Sequence, residues 1–342
     1  MKKNLIIICL LCSVINGTAQ NNLSTKDSIS TFYNSIVSVM KSNYLYRDKV
    51  NWAQTESALQ ERLLKYENFK NSLEEITFLF DNVGADHCSV YLGENIYTPT
   101  YSGPNRNDFS PEWLSKFKTK PKFEVKIIDE EYGYILIPSI SFEDISSRNI
   151  HRISQPLYDQ ISKVKQSKNL KGWIIDLRFN SGGNSMPMLL ALYDFLGDNP
   201  VYGMMNIDKK LVTTIKLKKG KYYDNHSKSS YIKPVGTKMT ETKVAIITGL
   251  VTASSGEVVA LAFKGRGNTI FIGENTMGMT TTNTKMALAF GAYMAITIGY
   301  DSDRNGIFYE CITPDIEINK QDNFENLSAD KNIQEAINFI SK

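Results

Sequence analysis

The chain has 342 residues, with 39 lysines and arginines against 36 aspartates and glutamates, 42% hydrophobic residues and three histidines. This near-balance of charge excludes the basic footprint of a nucleic-acid binder or of a protein held on an acidic membrane surface. The length allows about two domains with ample apolar residues for a core, and after the N-terminus no stretch is long and apolar enough to span a bilayer.

Residues 1–19 read as a secretory signal peptide. Lys2 and Lys3 form a basic start, Leu5 to Ile15 is an apolar run, and Gly17-Thr18-Ala19 offers small residues for cleavage. A lipidated cysteine at Cys12 is disfavoured because Leu11 precedes it where a small residue is required. The expected protein is therefore exported, periplasmic or secreted, and not an integral membrane protein. Cleavage after Ala19 removes Lys2, Lys3, Cys9 and Cys12, leaving a nearly neutral chain with Cys88 and Cys311. Two cysteines in an exported protein are compatible with one disulfide or with two buried thiols.

Residues 20–97 predict an N-terminal helical domain ending in a strand that begins near His87. Ile29, Phe32, Ile36, Val37 and Met40 share one helical face, and Leu59 and Leu63 mark a second helix. Ser72 with Glu75 reads as a capping box opening a third. Residues 98–122, rich in Pro, Ser and Asn, read as a linker. Residues 123–342 then alternate short strands with helices, which indicates an α/β core. Strands are expected at Phe123 to Ile128, Tyr132 to Ile137, Trp173 to Leu177 and Val244 to Thr248. The helix carrying Ile150 to Val164 contains Pro156, which predicts a bend or a later start. Residues at about 205–240 break the pattern and read as an insertion with a hairpin around Lys219-Gly220.

Three places combine turn chemistry with reactive side chains. Leu250 to Glu257 (LVTASSGE) lies between a buried strand and a helix, where a serine projects from the sheet and helix amides face whatever it attacks. The same residues suit an ordinary helix cap equally well. Ile175 to Gly183 (IDLRFNSGG) ends a strand in a double glycine, which permits close backbone approach but also makes a common tight turn. His87 sits at an element boundary, whereas His151 borders an apolar helical stripe and His226 lies in the polar insertion. A lone histidine in such a place is more often structural than catalytic.

Together these segments resemble the superfamily of tail-specific proteases, C-terminal processing peptidases and tricorn-like core proteases. The marks are Asp-Leu-Arg-x-Asn-x-Gly-Gly at 176–183, Thr-Ala-Ser-Ser-Gly-Glu at 252–257, Gly-Glu-x-Thr-x-Gly at 273–278 and Tyr-Glu-x-Ile-x-Pro-Asp at 309–315. The resemblance implies a crotonase-like core of ββα units behind a small helical domain. It also implies a serine peptidase acting on a peptide or protein substrate, with Ser254 as nucleophile and the amides of Ser255 and of Gly183 or Gly182 as oxyanion hole. Where the Ser-Lys branch carries its lysine base, this chain has Met279, and Lys285 is the nearest later lysine. The resemblance is thus to the tricorn-like, Ser-His-Glu branch, which makes His87 the base and Glu310 its orienter. No PDZ domain is evident. No cofactor is implied, and no Cys/His cluster has metal-ligand spacing. The alternative is a non-catalytic ligand- or peptide-binding module on the same fold. If His87 and Glu310 meet, the adjacent Cys88 and Cys311 would turn to a common side, within reach of a disulfide.

Overall fold

The computed structural model describes residues 24–342, so the expected signal segment lies outside the described residues. Helix α1 (Thr25–Asn43) is capped by the Ser24 hydroxyl, which accepts from the amide of Asp27, and it buries the expected face of Ile29, Phe32, Ile36, Val37 and Met40. It packs with α2 (Trp52–Leu63), the short α3 (Phe69–Ser72) and α4 (Glu75–Val83). The expected capping box at Ser72 does not form. Ser72 instead ends α3, its hydroxyl donating to the Phe69 carbonyl, while the Glu75 carboxylate is buried against Arg62, Lys65 and the Tyr66 hydroxyl. A paired, buried glutamate outcompetes the cap.

Gly84, at φ 67°, ends α4 and sends the chain through His87 into β1 (Ser89–Leu92) and β2 (Asn95–Tyr97). The expected linker is more than a spacer. It carries α5 (Pro111–Lys118), started by a Ser110 cap with proline at the first position, and the helix buries Trp113 against Phe109 and Phe179.

The remaining chain builds β3 (Glu124–Ile128), β4 (Tyr132–Leu136), α6 (Ser147–Ser167), β5 (Gly172–Asp176), α7 (Ser185–Ala191) and α8 (Tyr193–Leu196). Next come β6 (Pro200–Met205), β7 (Leu211–Lys218), β8 (Lys221–Asp224), β9 (Ser227–Tyr231), β10 (Val244–Thr248) and α9 (Ser255–Phe263). The last elements are β11 (Thr269–Gly273), β12 (Thr281–Ala287), β13 (Tyr293–Ser302), β14 (Ile316–Glu317) and α10 (Lys331–Ser341). Pro156 sits inside α6, which starts earlier than expected, at a Ser146 cap. The expected helix Met188 to Leu196 is broken at Leu192 into α7 and α8.

Two sheets organise these elements into the expected α/β fold. One has the order β14-β11-β10-β5-β4-β3 and is parallel except at the β3–β4 pair and buried on both faces at its centre. That burial explains why β5 and β10 read as unbroken apolar runs. The other is antiparallel, in the order β2-β1-β13-β6-β7-β8-β9, with β12 also on β13. The residues expected as an insertion extend this second sheet, and the β7–β8 hairpin turns at Lys219 and Gly220, both at positive φ.

Candidate active site

Parallel neighbours β5, β10 and β11 send their C-terminal turns to one edge, the place where open α/β sheets bind ligands. The turns are stitched together. Thr252 donates its hydroxyl to the Leu177 carbonyl (2.9 Å), the Ala253 amide donates to the Asn180 carbonyl (3.0 Å), and the Met277 amide donates to the Thr252 carbonyl (2.9 Å).

The Asp-Leu-Arg segment after β5 is scaffolding. Arg178 is buried and holds Asp176 (2.6 Å), Asp322 (2.6 Å) and Asp330 (2.8 Å), while the Tyr134 hydroxyl donates to Asp176. This cluster fixes the turn that presents Gly182 and Gly183, at φ 115° and 108°. A Cβ on Gly183 would meet the Ile140 carbonyl oxygen at 2.2 Å, and one on Gly182 would lie 3.0 Å from the Ser254 Cβ. Glycine is therefore required for the two turns to approach each other.

Ser254 stands immediately before α9 at φ 51°, ψ −117°, a conformation that non-glycine residues rarely adopt. Its amide donates to Glu257 Oε2 (2.9 Å), and the Ser255 hydroxyl donates to the Gly183 carbonyl (2.7 Å). The Gly182 amide is committed to Asn180 Oδ1 (3.1 Å), whereas the amides of Gly183 and Ser255 have no partner among the described residues. Of the two glycines expected to serve an oxyanion, Gly183 is the one with a free donor.

Glu257 is a site residue the sequence reading passed over. It is fully buried and accepts from Ser254, from the Thr276 hydroxyl and from the Gly278 amide (2.9 Å). Burial pushes its carboxyl up to about 7, against the lowering effect of those hydrogen bonds. One side chain thus locks the serine turn to the 273–278 segment.

The second sheet supplies the opposite wall. Because β1 and β12 both pair with β13, His87 is carried to β12, where its Nδ1 lies 2.7 Å from Thr281 Oγ1 and its carbonyl accepts from Asn283 Nδ2 (2.7 Å). Burial lowers the His87 imidazole to about 4. Thr281, with Ser254, Ser255 and Gly183, lines a cleft of about 410 Å³ between the sheets. Ser254 Oγ and His87 do not hydrogen-bond to each other.

Glu310 does not hold the place expected of it. Its side chain is exposed and makes neither a hydrogen bond nor an ion pair with His87, although its backbone carbonyl abuts Thr280. The polar atom against His87 Nδ1 is Thr281 Oγ1 instead. Cys88 and Cys311 are free thiols, so the expected bridge is not formed. Cys88 is buried against Thr297, and Cys311 lies on the loop beside Gly278. His87 reaches the site through sheet pairing rather than through a contact with Glu310, which removes the geometry that would have joined the thiols. Lys285 and Lys264 cap the rings of Tyr293 (3.7 Å) and Phe271 (3.9 Å).

Comparison with known proteins bears on the fold and the family. The chain is 27% identical over 281 residues to the nisin-resistance protein of Lactococcus lactis subsp. lactis, covering 80% of this chain and 79% of that protein. Its fold is similar to that of a lipoprotein from Streptococcus agalactiae, with a TM-score of 0.67, 24% identity, and 93% and 96% of the two chains covered. The photosystem II D1 C-terminal processing protease shares the fold more distantly, with a TM-score of 0.50, 13% identity, and 86% and 93% covered. Residues 131–318, which hold both glycine turns, the serine turn and β10 to β14, match peptidase family S41, and the chain belongs to that family.

Proposed function

We propose that the protein is a serine peptidase acting outside the cytoplasm, with Ser254 as nucleophile and His87 as its base. The observation that carries this reading is the backbone of Ser254, a serine at φ 51° held at a helix N-terminus, facing a cleft whose wall offers unpaired glycine and serine amides. Rare backbone conformations persist when the surroundings enforce them, and they gather where a side chain must be aimed.

In this mechanism Ser254 Oγ attacks the scissile carbonyl carbon while His87 Nε2 takes its proton. The new oxyanion lies against the amides of Ser255 and Gly183, and the α9 N-terminus adds favourable potential. His87 then returns the proton to the leaving amine, and water repeats the sequence on the acyl-enzyme. The Nδ1–Thr281 contact suits this role, because an Nδ1–H donated to Thr281 Oγ1 leaves the Nε2 lone pair for the serine. The serine and the imidazole close the remaining gap when substrate binds, since catalytic hydrogen bonds are often long without it.

Action outside the cytoplasm is supported by the signal-like residues 1–19 and by the likeness to a lipoprotein and to a nisin-resistance protein. No helix among the described residues is long and apolar enough to cross a membrane. The test is labelling with a fluorophosphonate probe followed by peptide mapping. Modification of Ser254, abolished in Ser254→Ala, is expected. Absence of both labelling and peptide turnover would favour a binding module on the same fold.

A further inference from the structure

The cleft that holds Ser254 has a second chemical feature at its floor. Asp301 on β13 is 4% exposed and faces the cleft beside Met204 of β6 and Thr282 of β12. Its Oδ1 accepts from the Thr282 hydroxyl at 2.6 Å, and its amide is fixed to the Thr280 carbonyl at 3.0 Å. Its Oδ2 has no hydrogen-bond partner among the described residues, and Asp301 is one of the residues that line the cleft.

Among the described residues that line the cleft, Asp301 is the only carboxylate and none is a lysine or arginine, and His87 contacts the lining residue Thr281 without lining the cleft itself. No cation among the described residues forms an ion pair with it. Burial pushes its carboxyl up to about 6, with the Thr282 hydroxyl the only group opposing that shift. A carboxylate kept largely out of water without a counter-ion is destabilising unless something else supplies the charge. Beside it the hydroxyls of Tyr202 and Tyr222, 3.1 Å apart, offer further oxygen acceptors and two aromatic rings.

The geometry points to Asp301 as the seat of a subsite for a cationic group of the peptide substrate, a lysine or arginine side chain whose aliphatic stem lies along Met204 and the tyrosine rings. This inference rests on the peptidase reading of the same cleft. A single carboxylate is too small a ligand set for a divalent ion, and no group of three metal-ligating side chains exists among the described residues. An organic cation therefore fits the site better than a metal. A site that buries an unpaired polar group also discriminates strongly, because a substrate lacking the complementary group leaves that group unpaired.

The experiment uses the full mature chain and N-acetylated fluorogenic peptides that carry lysine, arginine, norleucine or citrulline at one position at a time. At one position, kcat/KM should favour lysine or arginine over norleucine by about a hundredfold or more. Asp301→Asn should shrink that ratio to below about fivefold, with the loss falling on the cationic peptides. Equal turnover of cationic and neutral peptides by the native chain would overturn the proposal, as would an unchanged ratio in Asp301→Asn. Matched peptides with a free N-terminus and norleucine throughout separate a side-chain cation from a terminal ammonium, and a preference confined to these would also overturn it. Binding of the lysine and norleucine peptides to Ser254→Ala supplies a readout without turnover. Equal affinities there would sink the subsite even if cleavage proceeds, whereas tight cationic binding without cleavage by the native chain would instead count against the peptidase reading.

Discussion

The backbone amide of Ser254 donates to the carboxylate of Glu257 three residues later, and the same carboxylate grips Thr276 and Gly278 on the neighbouring turn. The strained serine is thus held by a buried acid that spans two loops.

Glu257→Ala should for this reason be worse than an ordinary cap deletion. It strands three donors in a buried site, each worth about 1–3 kcal/mol when left unsatisfied. A loss of at least about 3 kcal/mol in denaturant unfolding is expected, together with a fall in peptide turnover of about a hundredfold or more. Glu257→Gln should be intermediate, since its amide keeps only one of the two acceptor oxygens. Unaltered stability in Glu257→Ala would show that the turn is held by something else.

The two adjacent serines should separate cleanly. Ser254→Ala removes the nucleophile and should reduce kcat by about a thousandfold or more. Ser255→Ala loses only the hydroxyl bond to the Gly183 carbonyl, worth about tenfold at most as a single neutral hydrogen bond. Similar losses in the two variants, measured on one peptide, would overturn the assignment of roles.

Arg178 is expected to govern stability rather than chemistry. Arg178→Met leaves Asp176, Asp330 and Asp322 facing one another without a counter-ion, and breaking a buried ion pair in this way costs about 3–5 kcal/mol. The unfolding midpoint in urea should fall with an unchanged slope. A variant as stable as the native chain would mean that the three carboxylates find other partners.

The parts of this architecture that were legible in the sequence are those set by local pattern. Strands β5 and β10 announced themselves as apolar runs because both faces of the parallel sheet are covered, and the serine turn followed from strand, small residues and helix in succession. Helix α5 was readable in principle from Ser110-Pro111, but a polar composition masked the single tryptophan that anchors it. Thr281 and Asp301 gave no local signal. Thr281 meets His87 because β12 and β1 share β13 as a neighbour, which joins residues 194 positions apart, and Asp301 meets Thr282 and Met204 through the β12–β13 and β13–β6 pairings, none of which a short motif encodes. The role expected of Glu310 rested on motif position alone, and motif position does not report where a side chain points.

The pH dependence of the reaction tests the histidine and its partner together. A base must be neutral to accept the serine proton, so activity disappears as pH falls through the His87 pKa and is complete above it. An exposed imidazole would place this limb near roughly 6.5, but burial lowers His87 to about 4, and no carboxylate among the described residues forms an ion pair with it to raise it. The rising limb of kcat/KM for the free enzyme should accordingly lie near pH 4 to 5, with the plateau already reached by about pH 6. Thr281→Val removes the only polar contact of Nδ1 among the described residues, freeing the ring to rotate or to adopt the other tautomer. A fall in kcat of about a hundredfold with little change in KM is expected, and Thr281→Ser should restore most of it. Glu310→Gln, altering an exposed side chain, should change kcat less than about threefold, within the range of ordinary surface substitutions. If Glu310→Gln instead matches the loss in His87→Ala and moves the acid limb downward, the carboxylate must swing onto His87 in the substrate complex, and the orienting role passes from Thr281 to Glu310.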